Sequence, residues 1–99
     1  MLEFKTIRNY GRDEWLYEVT SNKELTLDEF LNKYRGEYGG TPHDVRIFNK
    51  RYFYQKDVFN SSNYDTLDDL NVDELRPLII KHIYAVGGWG PIIYYIRLA

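Results

Sequence analysis

The chain has 99 residues, 43% hydrophobic and 28% charged, which is ordinary globular usage at single-domain length; a disordered chain is excluded, and one globular domain over residues 1–99 with one core is expected. Thirteen Lys and Arg against fifteen Asp and Glu leave a net charge of -2, too small for a long-range field towards nucleic acid or an anionic membrane. Cysteine is absent, which excludes disulfides, thiolate metal sites and thiol nucleophiles.

The chain begins Met1-Leu2-Glu3-Phe4-Lys5, without a basic stretch followed by an apolar one, so a secretory signal is not expected and a cytoplasmic location is. Residues 2–10 and 14–20 are rich in β-formers and separated by Gly11-Arg12-Asp13, a connection of hairpin length. In the second strand Trp15, Tyr17 and Val19 share one face, and Leu16, Glu18 and Thr20 the other. The expectation is one mostly buried face with Trp15 as its core anchor, and one mostly wet face.

Thr26 followed three residues later by Glu29 forms a capping box, and Leu25 with Phe30 occupies the positions of a hydrophobic staple. Leu27, Phe30, Leu31 and Tyr34 then recur at helical spacing, so an amphipathic helix over about residues 26–35 is predicted to lie on a sheet and to stop at Gly36. Residues 37–42 read as a loop. Residues 45–48 and 52–55 read as a central hairpin around Asn49-Lys50-Arg51. From residue 59 to 76 the chain turns polar and acidic, and Leu67, Leu70, Val72 and Leu75 are spaced too irregularly for one long helix; a loop with one helical turn near residues 66–70 is expected.

Residues 78–86 and 92–98 are β-branched and aromatic runs flanking Gly87-Gly88-Trp89-Gly90-Pro91, which predicts a second hairpin. Strict alternation groups Leu78, Ile80, His82, Tyr84 and Val86 on one face of its first strand. Apolar residues occupy both faces, as in strands near the centre of a sheet. Lys81, His82, three glycines and Pro91 interrupt this apolar region, denying it the ~20 apolar residues of a membrane span. The predicted fold is α+β: a largely antiparallel sheet of about four to six strands built from hairpins, crossed by one helix.

Three groups of residues are candidates for function. Arg46, Lys50 and Arg51 interleave with aromatic residues including Tyr52 and Tyr54, a combination that follows a phosphate backbone and stacks unpaired bases; a charged hairpin tip gives the same composition. Asp65, Asp68, Asp69, Asp73 and Glu74 crowd into ten residues; they suit a hard cation, a basic partner surface, or simply a solvated loop, and the EF-hand spacing is not met. Trp89, at a turn tip, is either folded back over the sheet or offered to a partner. His43 and His82 lack any arrangement for acid and base chemistry, and Gly87-Gly88-Trp89-Gly90 fits no phosphate loop. No catalytic residue, metal site or cofactor is therefore assigned.

The Trp15-Leu16-Tyr17-Glu18-Val19 strand, the Thr-Leu-Asp-Glu-Phe helix start and the terminal Gly-Gly-Trp-Gly with Tyr94-Tyr95-Ile96 resemble small accessory proteins of Gram-positive bacterial phages and mobile elements. The resemblance implies a compact protein without an active site that occupies a host protein's surface, including as an anti-CRISPR-like inhibitor of a defence nuclease. The leading expectation is thus a non-enzymatic protein-binding module using Trp89, Tyr38, Tyr52, Tyr54, Asp68, Asp69, Asp73 and Glu74. The alternative is a nucleic-acid-binding protein using Arg46, Lys50, Arg51, Tyr52 and Tyr54. A third reading is self-association as a homodimer through an exposed strand edge.

Overall fold

The computed structural model describes residues 2–9, 14–33, 45–49, 63–88 and 92–99. Within them the chain runs β1 (Leu2–Asn9), β2 (Glu14–Ser21), α1 (Leu27–Lys33), β3 (Val45–Phe48), β4 (Tyr64–Thr66), a 3₁₀ turn (Leu67–Asp69), α2 (Val72–Leu75), β5 (Ile80–Gly88) and β6 (Ile93–Leu98). The strands form one six-stranded sheet in the order β1-β2-β5-β6-β3-β4. Every neighbouring pair is antiparallel except β3 with β6, so the expected α+β class is observed.

The C-terminal hairpin supplies the two middle strands, which is why its residues are apolar on both faces. Ile83, Ala85, Tyr94 and Ile96 face α1 and join a core with Val19, Leu27, Phe30, Val45 and Ile47. On the other face Leu16, Val86, Tyr95, Phe48 and Tyr64 form a second buried cluster. This corrects the reading of β2 as half wet. Leu16 heads the face expected to be solvated yet is fully buried, whereas Trp15, the expected anchor, is only half-buried.

Two β-bulges set faces that alternation alone misplaces. Ile80 lies opposite Leu98 and His82 opposite Arg97, so Lys81 is an extra residue in β5. The face of Ile80 is thereby switched, and it packs with Ile83 and Ala85 rather than with Tyr84 and Val86. In β1 the same irregularity falls between Thr6 and Arg8, leaving Ile7 as the extra residue; among the described residues it is the exposed large hydrophobic side chain.

The capping box forms as read. Glu29 N–H donates to Thr26 Oγ1 at 3.2 Å and Thr26 N–H to Glu29 Oε1 at 3.4 Å, while Leu25 and Phe30 are both buried. Leu27 N–H and Asp28 N–H, the remaining orphans of the first turn, donate to the carbonyls of Leu78 and Arg76, each at 2.9 Å. All four N-terminal donors of α1 are thus satisfied within the chain, and its start has nothing left to offer an anion. The predicted continuation through Tyr34 to the stop at Gly36 lies outside the described residues.

Between residues 45 and 76 the expectation is corrected twice. The central hairpin would need a free edge on Val45–Phe48, but β3 pairs with β6 on one side (Val45 opposite Tyr94) and with β4 on the other (Phe48 opposite Tyr64). Its intended second strand, residues 52–55, lies outside the described residues. The acidic stretch holds β4, a 3₁₀ turn and α2 rather than a loop with one turn. Tyr64 is buried in β4.

Candidate functional site

The spacing that defeats one long helix in the acidic stretch suits two short turns. Leu67 and Leu70 are three apart, which superposes them along a 3₁₀ turn, and Val72 and Leu75 are three apart on a single α turn. Leu67 is buried in the main core, with Leu70, Val72 and Leu75 packed against it. Asp68, Asp69, Asp73 and Glu74 consequently point outward, and all four are exposed. The arrangement is a ridge of carboxylates on a hydrophobic footing.

Several bonds hold the ridge in place. Arg76 Nη1 donates to Asp28 Oδ1 of α1 at 2.7 Å, tying the end of α2 to the main helix, and its Nε lies 3.7 Å from Asp73 Oδ1. The Asp73 side chain is 95% exposed, so that ion pair adds little energy and leaves the carboxylate open to solvent. Thr66 Oγ1 donates to Asp69 Oδ2 at 3.2 Å, and Asn49 Nδ2 donates to Asp65 Oδ2 at 3.3 Å. Among the described residues no group of three or more His, Cys, Asp or Glu side chains is placed to hold a metal ion.

Arg46, assigned by sequence to a phosphate-binding hairpin, has a different setting. Its guanidinium carbon lies 5.5 Å from the centre of the Tyr64 ring and 5.4 Å from that of Tyr95, rings which meet edge-on at 4.9 Å. Arg46 Nη1 donates to the Tyr95 hydroxyl at 3.2 Å, and its Nε is buried. This cation braces the second cluster and presents a half-buried side chain, poorly suited to track a nucleic-acid backbone. Its proposed companions Lys50, Arg51, Tyr52 and Tyr54 lie outside the described residues, as do Tyr38, Trp89 and His43.

His82 belongs to a polar group on the same sheet face as Arg46. Arg97 Nη2 donates to its Nδ1 at 3.3 Å, since a guanidinium can only donate, and its ring stacks on Tyr84 at 6.3 Å. Beside it, where β2–β5 pairing ends at Val19 and Ile83, a half-open cleft of about 230 Å³ is lined by Glu18, Thr20, Leu25, Ile80, Lys81 and His82. Burial raises the Tyr84 pKa, Glu18 opposite it raises it further, and Arg97 opposes the rise.

The structure thus brings the four acidic candidates together and separates Arg46 from them in role. Sequence reading missed the bracing of Arg46 because Tyr95 is 49 positions away and reaches it through a parallel strand pair. The available signal was parity: Tyr95 and Arg97 share a face of β6, so any neighbouring strand would meet Tyr95 there. Among the described residues no helix is long and apolar enough to cross a membrane. No protein-family model, curated protein or solved structure matches the chain.

Proposed function

We propose that this chain is a non-enzymatic protein-binding module that contacts a basic partner surface through Asp68, Asp69, Asp73 and Glu74. The observation that carries this reading is the exposure of all four carboxylates on two turns whose apolar residues pack into the core. Anchored charges are preorganised, so association does not first have to order the segment that bears them. Complementary charge at an interface raises the association rate and fixes orientation, and a net charge of -2 leaves that role to a local patch. The narrower reading follows from the resemblance: stoichiometric inhibition of a host defence nuclease in the anti-CRISPR manner. Such nucleases carry basic channels for nucleic acid, which a ridge of carboxylates would complement.

The test is capture from nuclease-treated lysate of the source cells by the wild-type chain and by a variant carrying D68N, D69N, D73N and E74Q. A protein retained by the wild type after nuclease treatment, and lost with the variant, is the expected result. Equal retention by both chains, or retention that vanishes with nuclease treatment, overturns the assignment. Because all four positions are exposed, each substitution should cost no more than about 0.5 kcal/mol, so the variant stays folded and its denaturation midpoint separates loss of contact from loss of fold.

A further inference from the structure

The two edges of the sheet are built differently. β4 is three residues long and runs directly into the 3₁₀ turn, so it offers almost no ladder to another strand. β1 is eight residues long, has a strand neighbour on one side only among the described residues, and exposes Glu3 and every residue from Lys5 to Asn9. The bulge at Ile7 divides it, leaving Leu2-Glu3-Phe4-Lys5-Thr6 as the regular stretch.

That stretch is self-complementary. A two-fold axis perpendicular to the sheet keeps each face continuous, so residues that oppose one another must share a face. With Phe4 opposite Phe4, Glu3 of each copy meets Lys5 of the other on one face, while Leu2 meets Thr6 on the other. Sliding one copy by two residues sets Glu3 against Glu3 or Lys5 against Lys5, and like charges directly opposite are destabilising. One register therefore pairs opposite charges twice, and its neighbours oppose like ones. Phe4 is half-buried and held edge-on to Tyr17 at 5.8 Å, so its ring is already ordered before any pairing. The bulge ends the ladder after Thr6, and an isologous contact uses each edge once, so the assembly closes at two copies.

We propose that the chain forms a two-fold dimer by antiparallel pairing of β1 with β1 of a second copy, in the register centred on Phe4, making one sheet of twelve strands. The proposal rests on β1 alone and is independent of the acidic ridge, to which this strand contributes nothing.

Sedimentation velocity over a micromolar-to-millimolar range tests it, with three charge variants. The wild type is expected to sediment at about twice the 11.9 kDa chain mass. E3K turns both cross-strand pairs into lysine facing lysine, and K5E turns both into glutamate facing glutamate. Each alone should raise the dimer dissociation constant about tenfold or more, and K5Q, which removes attraction without adding repulsion, by about threefold. Mixed in equal amounts, E3K and K5E place lysine pairs of one chain opposite glutamate pairs of the other and should sediment as a heterodimer, which also demonstrates that both variants are folded. A monomeric wild type throughout the range, an undiminished E3K or K5E dimer, or a mixture that stays monomeric overturns the proposal.

Discussion

Among the described residues the buried side chains on the α1 face of the sheet are hydrocarbon apart from the hydroxyl of Tyr94, whereas on the opposite face two of the five buried residues, Tyr64 and Tyr95, carry hydroxyls and a guanidinium packs against both their rings. Hydrocarbon packing is non-directional and asks only for volume and the right face. A face that buries polar tips also needs each tip to find a partner, because a buried donor or acceptor without one carries its full desolvation cost. The α1 face is therefore secured by mass, and the opposite face by a few specific contacts.

The largest expected effect breaks the hydrocarbon side. Phe30 is fully buried and meets Tyr94 edge-on at 5.0 Å, at the point where α1 is fastened to β6. Phe30→Ala should cost about 3–5 kcal/mol, a large part of the roughly 5–15 kcal/mol typical of a domain, read as a lower midpoint in urea denaturation. A loss below about 1 kcal/mol would show that α1 is dispensable to the core.

On the opposite face a smaller change should still register. Tyr95→Phe keeps the ring against Arg46 and Tyr64 and removes only the hydroxyl that accepts from Arg46 Nη1. Leaving a half-buried cationic donor without that acceptor should cost about 1–2 kcal/mol in the same denaturation experiment. An unchanged midpoint would mean that both faces are held by packing alone, and the contrast between them would disappear.

The two faces also differ in how legible they were in sequence. Thr26 with Glu29 and Leu25 with Phe30 interact across three to five positions, so the start of α1 is written locally, and the C-terminal hairpin pairs neighbouring segments. β3 joins β6 across 49 positions and in parallel, a pairing that no local pattern announces. β4 has three residues, too few to display alternation, and the bulges at Ile7 and Lys81 each shift the register without a composition signal. For the site, the exposure of Asp68, Asp69, Asp73 and Glu74 followed from polarity. The capture of Arg46 by Tyr64 and Tyr95 did not, because it depends on those long-range pairings.

The subtlest test of the polar face is its response to alkali. Tyr84 sits in register between Glu18 of β2 and Tyr95 of β6, half-buried, and its pKa lies above the ordinary tyrosine value of 10.0. Burial disfavours the phenolate, Glu18 repels it, and Arg97 offsets part of the rise. Well below pH 10.0 the phenol is protonated in both folded and unfolded chains, and the group adds no pH dependence. Above it the unfolded chain loses the proton first, so the unfolded state binds fewer protons and stability falls until the folded pKa is passed. Alkaline denaturation should therefore begin at lower pH in the wild type than in Tyr84→Phe, which lacks the proton. Removing Glu18 as a charge, by Glu18→Gln, should bring the Tyr84 transition in the tyrosinate absorbance back towards 10.0. Arg97→Gln removes the opposing cation and should move it further up. Identical alkaline profiles for the wild type and Tyr84→Phe would show that the phenol titrates as it does in the unfolded chain, and that burial, Glu18 and Arg97 have no net effect on it.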